Sequence, residues 1–96
     1  MLRVKVKFFG PFREISNVKE LEITVAEGST VKDILNLLTE KYGEEMKHTL
    51  FDPQTNEVRD SFQLLLNGRN IYGLRGLDTC MEDDNVLTMF PPVAGG

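Results

Sequence analysis

The sequence predicts an α+β domain of two layers, with one main helix packed on one face of a mixed β-sheet. Three observations carry that expectation. The first and last apolar stretches alternate with period two, one stretch over residues 31–42 recurs at helical spacing, and turn residues punctuate the rest. The chain has 96 residues, 41% of them hydrophobic and 27% charged. That balance suits one globular domain near the lower end of the size at which a single core supports itself.

Residues 2–9 alternate strictly: Leu2, Val4, Val6 and Phe8 share one parity, and Arg3, Lys5, Lys7 and Phe9 the other. This is the pattern of a half-buried strand. Gly10-Pro11 ends it, because proline cannot donate to a ladder. The polar region around Ser16-Asn17 is expected to be a turn. Leu21, Ile23 and Val25 then alternate with Glu20, Glu22 and Thr24, a second strand close enough to the first to form a hairpin.

Glu27 to Thr30 turns the chain into a helix. Thr30 is a good N-cap, and Asp33 favours the positive end of the helix dipole. Val31, Ile34, Leu35, Leu38 and Tyr42 make one apolar face. Gly43 supplies the stop, since glycine takes left-handed geometry without penalty. Residues 44–51 can close a short second helix that sends Met46, Leu50 and Phe51 to the core. Residues 52–61 are polar and are expected to be a mobile surface loop.

Phe62, Leu64 and Leu66 open a third strand, Asn67-Gly68 is a tight-turn signal, and Asn70 to Tyr72 form a short return strand. Residues 73–84 hold too much glycine and aspartate for a long regular element. Val86 to Phe90 is the last strand, with Leu87 and Met89 on one parity and Thr88 and Phe90 on the other. The first and last strands are expected side by side in the middle of the sheet. This order is that of the β-grasp. The expected organisation is one β-grasp domain over residues 1–92 and a flexible tail over residues 93–96.

Fifteen acidic against eleven basic residues give a net charge of -4, which argues against non-specific nucleic-acid binding. A single cysteine, Cys80, excludes an internal disulfide framework and a cysteine-rich zinc site, and a single histidine, His48, excludes multi-histidine metal sites. No metal site is expected. No apolar run approaches the roughly 20 residues of a membrane span, and the charged alternation of the first ten residues is not that of a signal peptide. The expectation is a soluble cytoplasmic protein with no membrane attachment.

Cys80 is expected to be a small buried hydrophobe, because nothing basic beside it lowers its pKa. His48 is expected in a solvated loop. Gly73 to Gly76 lacks the Lys-Ser/Thr of a phosphate loop and reads as a turn. Glu82, Asp83 and Asp84 read as a turn before a strand rather than a cation site, and Arg3, Lys5 and Lys7 as a solvated face.

Two features are not absorbed by folding. Strand parity sets Phe9 and Phe90 on the face opposite the core, with Lys5, Lys7 and Thr88 around them. Exposed aromatics rimmed by charge suggest a partner site. The second feature is the tail. Pro91 and Pro92 stiffen its first part and Gly95 and Gly96 strip its tip of side chains. Six extended residues reach about 20 Å from the fold. That is the shape of a tethered substrate, able to enter a narrow channel in another enzyme with little loss of entropy.

The run Phe90-Pro91-Pro92-Val93-Ala94-Gly95-Gly96, with Leu66-Asn67-Gly68-Arg69-Asn70-Ile71 and Gly76-Leu77-Asp78-Thr79, resembles the small subunit of molybdopterin synthase. The resemblance covers essentially the whole chain. The segment 44–61 is similar to that of the archaeal branch, which includes the small archaeal ubiquitin-like modifier proteins. One departure is Asp83-Asp84-Asn85, where Asp84 stands at a position the family gives to glycine; aspartate tolerates left-handed geometry better than most residues.

The resemblance implies a ubiquitin-like sulfur carrier rather than an enzyme. An E1-like adenylating enzyme would use ATP to activate the carboxyl group of Gly96, and a sulfur donor protein would convert it to a thiocarboxylate. No cofactor would be bound by the chain itself. Gly95 would be the required small neighbour. Phe9, Phe90, Pro91, Pro92, Val93 and Ala94 would meet partners, among them the large subunit of molybdopterin synthase in molybdenum cofactor biosynthesis. The alternatives are a modifier joined through Gly96 to lysines of target proteins, and a sulfur donor for tRNA thiolation or thiazole synthesis.

Overall fold

The computed structural model describes residues 1–91. In chain order the elements are β1 (Leu2–Phe8), α1 (Pro11–Ser16), β2 (Glu20–Val25), α2 (Val31–Tyr42), α3 (Glu44–Leu50), β3 (Gln63–Leu66), β4 (Arg69–Asn70) and β5 (Asn85–Phe90). One-turn 3-10 helices stand at Ile71–Gly73 and Gly76–Asp78. The strands form one sheet in the order β2-β1-β5-β3-β4. β1 and β5 are parallel and central, with Val6 beside Leu87 and Phe8 beside Met89. The other pairings are antiparallel. Parallel neighbours cannot be joined by a hairpin, so the chain between them must cross over, and it carries α2 as it does so. This is the β-grasp arrangement expected from the element order.

The core lies between the sheet and α2. Val4, Val6 and Phe8 of β1, Leu87 and Met89 of β5, and Leu64 and Leu66 of β3 form one buried cluster with Val31, Ile34, Leu35 and Leu38 of α2. α2 begins and ends where its caps dictate. The Asp33 amide donates to the Thr30 hydroxyl at 3.3 Å, and the Thr30 amide donates to the Asp33 carboxylate at 2.9 Å, a reciprocal capping box. At the other end Gly43, at φ 85°, donates its amide to the Thr39 carbonyl at 2.8 Å and starts α3. Met46, Leu50 and Phe51 are buried, as the spacing in residues 44–51 anticipates. Tyr42 sets its ring edge-on to Phe8, and burial pushes its hydroxyl pKa above the ordinary value.

Three local expectations are corrected. Residues 11–16 are helix α1 rather than part of a turn. Pro11 sits at its first turn, where its missing amide proton costs nothing, and Phe12 is buried against Phe62 with ring centroids 5.0 Å apart. The return strand is only Arg69–Asn70, not residues 70–72. Ile71 must turn inward to be fully buried, so the chain leaves the sheet into a 3-10 turn, in which the Asn70 side chain accepts the Tyr72 amide at 2.9 Å. His48 lies on α3, not in a loop, although it is exposed. The Asn67-Gly68 turn is as expected: both residues have positive φ, 50° and 85°, the geometry of a type I′ hairpin.

Candidate functional site

The face of the sheet away from α2 carries Lys5, Lys7, Thr88 and Phe90, all on the outward parity of the two central strands. Phe9 follows β1 directly, and its amide donates to the Met89 carbonyl at 3.1 Å, which extends the β1–β5 pairing by one residue. That bond holds the Phe9 ring beside Phe90. The two rings stack with centroids 4.7 Å apart and planes 20° apart. Phe9 is 41% exposed and Phe90 half-buried. An aromatic pair at the surface gains little from its own chain and would gain more from being covered.

The root of the tail is fixed at the same place. Gly10 follows Phe9 with φ 60° and ψ -134°, a conformation only glycine adopts readily. A Cβ built on Gly10 would lie 2.9 Å from Cγ of Pro91. The Pro91 ring therefore sits directly on the Gly10 backbone, and both depend on the missing side chain. Sequence reading missed this role for Gly10. Its only signal is a glycine between an aromatic residue and a proline, and the residue that needs it lies at the far end of the chain. Of the residues assigned to the site, Phe9, Phe90 and Pro91 are thus brought together. Pro92, Val93, Ala94, Gly95 and Gly96 lie outside the described residues.

The charges around this face are lightly paired. Arg3 approaches Glu22 and Lys5 approaches Glu20, each at 3.8 Å and with exposed side chains. Such pairs contribute little to stability. They arrange β1 and β2 as neighbouring basic and acidic columns.

The remaining candidates are structural or isolated. Cys80 is exposed rather than buried. It forms an isolated bridge with Thr30, and the flanking Thr79 and Met81 take the buried positions, at 8% and 3% exposure. Asp83 accepts the Arg3 amide at 2.8 Å, the Asp84 amide donates to the Arg3 carbonyl at 2.7 Å, and the Asn85 side chain accepts the Glu82 amide at 2.6 Å. This acidic turn ties the start of β5 to β1, with Asp84 left-handed at φ 66°. His48 lies 3.4 Å from Glu44, both exposed on α3. Among the described residues no three His, Cys, Asp or Glu side chains come together as a metal-binding group, and no helix is long and apolar enough to cross a membrane.

Comparison with known proteins gives a consistent set of relatives. The ThiS family matches residues 6–96. The chain is 33% identical over 95 residues to small archaeal modifier protein 3 of Haloferax volcanii, which covers 99% of this chain and 100% of that one. It is 31% identical over 80 residues to an Archaeoglobus fulgidus protein that carries the provisional name of a sulfur carrier protein, covering 83% of this chain and 88% of that one. Among solved structures it is similar to small archaeal modifier protein 1 from Methanosarcina acetivorans, with a TM-score of 0.85 and 36% identity over 100% of this chain and 98% of the other.

Proposed function

We propose, from the premise that this chain belongs to the ThiS family of small ubiquitin-like sulfur carriers and modifiers, that it carries sulfur as a thiocarboxylate on Gly96. A carboxylate is a poor electrophile, so it must first be activated. An E1-like enzyme supplies ATP, the carboxylate oxygen attacks the α-phosphate, and pyrophosphate leaves. Sulfide-level sulfur delivered by a donor protein then attacks the carbonyl carbon of the mixed anhydride. The C–S bond forms, the C–O bond to AMP breaks, and the thiocarboxylate and AMP result. Gly95 and Gly96 offer no side chain that would obstruct passage of the backbone into the partner's channel. The catalytic groups belong to the partners, and this chain contributes the reacting carbonyl carbon and the surface that delivers it. The reaction is assigned to the cytoplasm, where ATP is available.

The observation that supports this reading best is the stacked Phe9–Phe90 pair beside the Gly10 seat of Pro91. It stands at the root of the tail, so a partner that covers the aromatic pair also receives Gly96. In this proposal the large subunit of molybdopterin synthase is such a partner, and a pterin precursor is the sulfur acceptor; tRNA is the alternative acceptor. The test is ATP–pyrophosphate exchange by a cognate E1-like enzyme. Exchange with the full chain and none with Gly96 deleted is the expected result. Exchange that survives the deletion would overturn the assignment of the reacting carboxyl to Gly96.

A second reading, a protein modifier joined through Gly96 to lysines, is favoured by the names of the two archaeal modifier relatives. Its mark is a Gly96–lysine isopeptide that survives thiol treatment, found by mass spectrometry of digested conjugates. One activated tail can meet either nucleophile, so the two readings differ in partner and not in the first step.

A further inference from the structure

We propose that the outer edge of β2 docks an extended peptide in which apolar residues alternate with lysine or arginine, its backbone pairing with β2 and its apolar side chains entering the groove between β2 and α2. This does not rest on the chemistry assigned to Gly96.

The two ends of the sheet differ. One ends in β4, only two residues long, Arg69–Asn70. The other ends in β2, six residues long, with no strand beyond it among the described residues. A long open edge is a template for another strand unless something blunts it. The Phe8 amide donates to the Lys19 carbonyl at 2.9 Å, which sets the alternation of the β1–β2 ladder. Lys19, Leu21, Ile23 and Val25 therefore turn their backbone groups toward β1. Glu20, Glu22 and Thr24 turn theirs outward, and they make none of the turn, loop or cap bonds among the described residues.

The side chains on the two faces of this edge state what would fit. On the helix side, Leu21 and Ile23 of β2 and Leu37 and Leu38 of α2 line a groove of about 400 Å³, with Glu40 and Lys41 also on it. Leu37 is 41% exposed, a large apolar residue on an otherwise polar helix surface. On the other face Arg3 and Lys5 form a basic column on β1, and Glu22 and Glu20 an acidic column on β2, with carboxylate side chains still 57% and 50% exposed. Cross-strand pairs favour opposite charges and penalise like ones. The next strand out is therefore best served by basic residues opposite Glu20 and Glu22 and apolar residues between them. A second copy of β2 is the wrong occupant. Antiparallel self-pairing centred on Glu22 sets that carboxylate against its own copy.

A strand docked there lies three strand spacings from β5, roughly 14 Å from the strand that holds Phe90. The carrier could be held at this edge while its tail is engaged elsewhere. Recognition of this kind takes affinity from backbone bonds and specificity from the alternate side chains.

The test is a titration of the ¹⁵N,¹³C-labelled full chain with two synthetic peptides of eight residues, one alternating valine and lysine and one alternating valine and glutamate. The expected result is amide shifts at Glu20, Glu22 and Thr24 and methyl shifts at Leu21, Ile23 and Leu37, with the lysine peptide binding roughly tenfold more tightly. Glu20→Lys with Glu22→Lys should invert that preference. If the double variant does not fold, Glu22→Gln alone should weaken the lysine peptide severalfold and leave the glutamate peptide unaffected or improved. Shifts centred on Phe9 and Phe90, equal binding of the two peptides, or no shift at millimolar peptide would overturn the proposal. So would concentration-dependent shifts at β2 without peptide, because the edge would then pair with itself.

Discussion

On the face that carries α2, β1 contributes Val4, Val6 and Phe8 and β5 contributes Leu87 and Met89, each at most 1% exposed. One residue along the same strands, on the opposite face, stand Lys5, Lys7, Thr88 and Phe90, with Phe9 just past the end of β1. The first face is closed by the chain's own helix. The second carries a stacked aromatic pair that no helix of the described residues covers. Burial explains the first set completely: these side chains hold the domain together. It does not explain the second, because an aromatic residue 41% exposed returns only part of its transfer free energy to folding. The same strands thus carry residues kept for folding on one side and, on the other, an exposed aromatic pair that the proposed function assigns to a partner.

That contrast can be broken most severely on the closed face. Leu35→Ala empties a fully buried position in α2 and should cost about 2–5 kcal/mol, lowering the melting temperature by roughly 10 °C or more. A loss under about 1 kcal/mol in a denaturant titration would mean that the helix-covered face is not the core. Phe90→Ala should show the opposite profile. Partner affinity should fall by about 2 kcal/mol, roughly thirtyfold by calorimetry, while stability changes less than for Leu35→Ala. Unchanged affinity would remove the open face from the function. The smallest expected effect sharpens the comparison at the turn that leads into β5. Asp84→Gly relieves left-handed geometry at φ 66° and should stabilise the domain by up to about 1 kcal/mol, with no effect on partner binding. A lowered melting temperature would show that the Asp84 side chain matters more than its backbone.

Much of this was legible because its signals are local. The caps of α2 lie at Thr30 and Gly43, where the sequence places them, because a cap is written in three or four adjacent residues. The parity of β1 and β5 follows from alternation alone, and from it the shared face of Phe9 and Phe90. What stayed hidden depends on segments far apart in the chain. α1 is six residues long and anchored mainly by Phe12, too short to show helical periodicity. Cys80 is exposed because it bridges to Thr30, fifty residues earlier in the chain. The seat of Pro91 on Gly10 joins two segments eighty-one residues apart.

The most direct test of the central claim is the intact mass of the full chain after incubation with a cognate E1-like enzyme, ATP and a sulfur source. A gain equal to the replacement of one oxygen by sulfur, absent when Gly96 is deleted, is the predicted result. An unchanged mass, with the enzyme shown to be active on another carrier, would contradict it.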